Sequence, residues 1–82
     1  MERLFRLPLI LEPQPEGGFT VTSPLLPELL TEGDTVAEAL ENVKDALAAV
    51  IEMYEDEGQP LPGGILAPQV QYPIWAEALV VA

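Results

Sequence analysis

"LLPELLTEGDTVAEALENVKDAL", Leu25 to Leu47, runs from a proline-broken apolar segment through Gly33-Asp34-Thr35 directly into an acidic helical pattern. Thr35-Val36-Ala37-Glu38 has capping-box spacing, in which a hydroxyl and a carboxylate three residues apart satisfy amides that the first helical turn leaves without partners. Asp34 and Glu38 also place negative charge near the positive end of the helix dipole. Val36, Leu40, Val43, Leu47, Val50 and Tyr54 then recur at alternating steps of four and three, which predicts one apolar helix face. Glu41, Lys44, Asp45, Glu52 and Glu55 fall off that stripe. Gly58 is placed to end the helix, and Pro60 and Pro62 prevent its resumption.

Outward from this junction the pattern changes from helical to extended. Upstream, Leu4 to Leu11 (LFRLPLIL) is strand-compatible, with Pro8 favouring an edge or a bulge because it lacks a ladder donor. EPQPEGG supplies a turn ending at Gly17-Gly18, and Phe19 to Ser23 alternates apolar and hydroxyl side chains as a strand with one wet face does. These two runs predict a hairpin. Pro24 and Pro27 bracket Leu25-Leu26, and Leu29 to Glu32 predicts a short third strand ending at Gly33. Downstream, Ile65 to Pro73 is turn-rich, and Ala76 to Ala82 suits a final strand, with helix as the alternative. The expected fold is α+β: a small β-β-β-α-β domain over 1–82, with the helix on one face of a mostly antiparallel sheet.

The chain has 82 residues, of which 49% are hydrophobic, and no cysteine. A domain this small buries a limited share of its surface and has no disulfide to assist it, so nearly all its apolar side chains must be hidden. A dimer or tetramer is therefore expected. With 3 Lys+Arg against 14 Asp+Glu the formal charge is −11, a field that repels phosphate backbones and anionic lipids and speeds encounter with a basic partner. Direct nucleic-acid or membrane binding is not expected. The N-terminus lacks signal-peptide character and no apolar run has membrane-spanning length, so a cytoplasmic protein is expected.

Absence of His and Cys removes nucleophilic triads, imidazole acid–base pairs and thiolate or imidazole metal sites. Carboxylates remain. Asp34 with Glu38 is already explained as a helix cap, whereas Glu55-Asp56-Glu57 places negative charge against the unfavourable end of the dipole and suits a cationic partner, or simply solvent. Gly17-Gly18 and Gly63-Gly64 lack phosphate-cradle spacing and are turns. Tyr72 and Trp75 could contact a ligand or partner, or close a small core or subunit interface. No catalytic residue, metal or cofactor is expected.

Gly17-Gly18-Phe19, Pro24, Leu26-Pro27, Gly33-Asp34-Thr35, Glu38-Ala39 and Asn42 together resemble the HicB-like antitoxin family, a group first described as an uncharacterised protein family. The resemblance covers about Leu4 to Pro62. It implies a fold similar to a truncated ribonuclease-H-like core and a partner, a small basic HicA-like messenger-RNA endonuclease that the antitoxin neutralises. Leu25, Glu28 and Leu29 depart from the family's usual Asp, Gly and Cys. Family members usually carry a C-terminal DNA-binding segment as well. None is expected in this sequence, nor is autonomous operator binding. The alternative reading is an orphan homo-oligomer that binds a small molecule or peptide. A metal-dependent hydrolase remnant is the third possibility, disfavoured because the acids that could serve, Asp34, Glu38 and those at the helix end, lie off the predicted strands, and fold analogy is weak ground for activity.

Overall fold

The computed structural model describes residues 4–63, 65–67 and 73. The elements are β1 (Leu4–Phe5), β2 (Ile10–Pro13), β3 (Phe19–Thr22), β4 (Leu30–Gly33), α1 (Val36–Asp56) and β5 (Leu66–Ala67). β2, β3 and β4 form an antiparallel sheet with β3 central, and β1 pairs antiparallel with β5. This is the expected α+β arrangement of three antiparallel strands covered by one helix. The run from Leu4 to Leu11, expected as one strand, is two. Pro8 lies in the break, the Arg6 amide donates to the Ile65 carbonyl at 2.6 Å, and β2 resumes as a sheet edge. β5 falls within the stretch expected to be turns, and the final strand expected over Ala76 to Ala82 lies outside the described residues.

β2 and β3 are joined by a tight loop in which the Gly17 amide donates to the Gln14 carbonyl and the Gln14 amide to the Gly18 carbonyl, both at 3.0 Å. Pro15 occupies the second position of that turn, where its fixed φ is already suitable. The register sets Leu11 beside Val21 and Val21 beside Thr31. That row faces α1, since Val21 is fully buried and packs with Ala39 and Val43.

After β3 the buried Ser23 hydroxyl accepts from the Leu25 amide at 3.2 Å, and the Leu29 amide donates to the Leu26 carbonyl at 3.0 Å. Pro27 thus sits second in a β-turn whose first and last residues, Leu26 and Leu29, are both driven into the core. The prolines that interrupt the sheet therefore also aim two large side chains inward.

The core has two adjoining parts. In one, Ala39 and Val43 from the first half of α1 cluster with Val21, and Leu11 and Phe19 pack against them. In the other, Val50 from its second half clusters with Leu26, Leu29 and Ile65, and Leu7, Ala46, Leu47 and Leu61 pack against them. Leu9 packs against both. The buried residues of α1 are Ala39, Val43, Val50 and Ile51, so the buried face is rotated from the apolar stripe read in the sequence. Val36 and Leu40 are half-buried at its margin.

Candidate interaction surface

The junction residues singled out in the sequence meet around the first turn of α1. Thr35 is the N-cap: its Oγ1 accepts from the Glu38 amide at 3.1 Å, and Glu38 Oε1 accepts from the Asp34 amide at 3.3 Å. The reciprocal cap therefore forms with its return bond one residue earlier than in the usual box. Asn42, two turns along, donates from Nδ2 to the Glu32 carbonyl at 2.8 Å. That bond ties the helix flank to β4 and occupies a backbone acceptor on a strand at the sheet's border.

Gly33 and Ala39 allow this close docking. A Cβ on Gly33 would stand 2.7 Å from Ala39 Cα, closer than packed carbon atoms come. Gly18 backs the same point from β3's side, with a Cβ position 2.9 Å from the Gly33 carbonyl oxygen. Phe19 lies opposite Gly33 in the ladder and packs against the Val21 cluster. Pro24, Leu26 and Pro27 belong to the turn described above. These residues shape a helix-on-sheet joint and present no converging reactive groups.

At the other end, the Gln59 amide donates to the Tyr54 carbonyl at 2.9 Å and the Gly58 amide to the Glu55 carbonyl at 3.1 Å, with Gly58 at φ +66°. This is a Schellman closure, and it turns the chain away at the position expected. Glu55, Asp56 and Glu57 are exposed around it, and the last turn carries no basic residue. Tyr54 reaches back from this turn: its hydroxyl donates to the Glu28 carboxylate at 2.9 and 3.0 Å. That hydrogen bond, with burial and the negative charges of Glu28 and Glu57 behind it, raises the Tyr54 phenol above its ordinary value of 10.0. The Glu28–Tyr54 contact escaped the sequence reading, because 26 residues separate its partners.

Glu55, Asp56 and Glu57 therefore form an acidic collar at the end of α1, and Tyr72 and Trp75 lie outside the described residues. Among the described residues, no group of three or more metal-ligating side chains is assembled, and no helix is long and apolar enough to cross a membrane. The ion pair of Lys44 with Glu41 at 3.3 Å is exposed on the helix and contributes little. What the surface offers chemically is negative charge on a rigid frame.

No family model matches the chain. Among curated proteins it is similar to Antitoxin HicB 1 of Photorhabdus laumondii, 45% identical over 71 residues, covering 84% of this chain and 46% of that protein. It is also similar to Antitoxin HicB of Escherichia coli K12, 46% identical over 57 residues, covering 70% of this chain and 41% of that protein. The chain thus spans less than half the length of either. A UPF0150 protein of Synechocystis is 31% identical over 61 residues, covering 74% of this chain and 77% of the relative.

Proposed function

The chain belongs to the HicB-like antitoxin family, and from that premise we propose that it binds and neutralises a small basic HicA-like messenger-RNA endonuclease. The observation that carries this reading is the identity of 45% and 46% to two proteins named HicB antitoxins. The charge of −11 suits a basic partner and opposes direct contact with nucleic acid. On this reading the chain is a cytoplasmic binding protein without catalytic groups or cofactor, self-associating as a dimer or tetramer. The collar of Glu55, Asp56 and Glu57 steers the approaching toxin, and Tyr72 and Trp75 are candidate contacts.

The test is recovery of the tagged chain from its own cells at low salt, with the accompanying proteins identified by mass spectrometry. A small basic HicA-family protein released as salt rises is the expected result. Recovery of copies of the chain alone would contradict the toxin partnership and leave an orphan homo-oligomer that binds a small molecule or peptide.

A further inference from the structure

The sheet face turned away from α1 carries an unusual pair of rows. Side chains alternate across a strand, and directly opposed residues share a face. Since Leu11, Val21 and Thr31 face the helix, the residues on either side of them face outward. One outward row is Ile10, Thr22 and Leu30, and the next is Glu12, Thr20 and Glu32. Ile10 is 53% exposed and Leu30 66%, the most exposed of the large apolar side chains described. Glu12 and Glu32 are exposed on the outer strands with half-buried Thr20 between them. Two strand spacings set their strands about 10 Å apart, and among the described residues neither side chain has a cation partner.

We propose that this outer face, with Ile10 and Leu30 beside Glu12 and Glu32, is the docking surface for a basic protein partner that presents an arginine or lysine flanked by apolar side chains. The partner's identity as a toxin rests on the antitoxin reading, whereas the surface rests on the sheet register. A guanidinium or ammonium set over Thr20 meets a carboxylate on either side and relieves their mutual repulsion. Its hydrocarbon stem and apolar neighbours cover Ile10, the Thr22 methyl and Leu30. Charge selects the occupant. A second copy laid on this face sets Glu12 and Glu32 against acids of its own, with only three Lys or Arg in the chain to offset them, so the self-association proposed above is left to other surfaces. An anionic polymer or lipid surface is repelled for the same reason.

The experiment uses the full 82-residue chain, labelled with nitrogen-15. It is titrated at low salt with a blocked peptide of equal numbers of leucines and arginines, and separately with a blocked lysine oligomer. The leucine–arginine peptide is expected to shift the amides of Ile10, Glu12, Thr20, Thr22, Leu30 and Glu32 in a saturable way. Glu12→Gln with Glu32→Gln should weaken it about five-fold, and either Ile10→Ser or Leu30→Ser should weaken it several-fold with an unchanged melting temperature. The lysine oligomer should bind more weakly, because it offers charge without apolar cover. Shifts confined to Glu55, Asp56 and Glu57, equal binding of the two peptides, or no shift at millimolar peptide would each overturn the assignment. Binding at this face without any effect on a HicA-family toxin would instead keep the surface and remove the antitoxin reading.

Discussion

Gly33 is buried and meets the backbone of Ala39, so its missing side chain is what lets α1 lie on β4. Gly33→Ala forces the first turn outward and should destabilise the fold by about 2 kcal/mol, as overpacking of a tight contact does. Urea unfolding of the variant reads this, and wild-type stability would show that the joint yields. Thr35→Ala removes the hydroxyl that accepts from the Glu38 amide and should cost about 1 kcal/mol by the same measurement. Tyr54 gives a pH signature. Its phenol is raised above 10.0 in the folded chain because it donates to the Glu28 carboxylate. The contribution is therefore present in full below the unfolded value and is lost as pH rises through the higher folded one. Tyr54→Phe should remove that alkaline component of the stability profile, and superimposable profiles above pH 10 would refute it.

The helix was legible because its two ends are written locally. Thr35 and Glu38 lie three residues apart, and Gly58 supplies the positive φ that a Schellman closure requires. Its direction of facing was less legible. Leu40 and Leu47 outrank Ala39 in any apolar pattern, yet Ala39 is buried because only a small residue fits over Gly33. Periodicity records hydrophobicity, while the sheet selects for size. The third strand and the hairpin followed from turn residues. The split of Leu4 to Leu11 did not, since the pairing of β1 with β5 joins segments about sixty residues apart. The candidate surface was legible in its charge alone: the acids at 55–57 stand out in sequence, whereas Glu12 and Glu32 become neighbours only through their shared partner Thr20. Asn42 sits between these cases, for its helix position was evident and its bond to the Glu32 carbonyl was not. Asn42→Ala should cost about 1 kcal/mol and speed amide exchange in β4 more than in β2. Uniform exchange would show that the bond does not hold that border of the sheet.

Across the whole chain, 14 acidic residues against 3 basic ones create a long-range field that the packed core does not need. Helix, hairpin and turn are each stabilised by local contacts, and the excess charge works against compactness. Such a field gains its use when a cationic surface arrives. Replacing Glu55, Asp56 and Glu57 with Lys should slow association with a basic toxin and flatten its dependence on ionic strength. Association rates unchanged across salt would remove steering from the account. The two acidic regions divide the work on this view: the collar at the end of α1 accelerates encounter, and the outer sheet face holds what arrives. Antitoxin function itself is tested most directly by RNA cleavage. A HicA-family toxin from the same cells would be assayed on messenger RNA with increasing amounts of the purified chain. Cleavage should fall to background near stoichiometric chain and return as salt is raised, whereas undiminished cleavage at saturating chain would contradict the neutralising role.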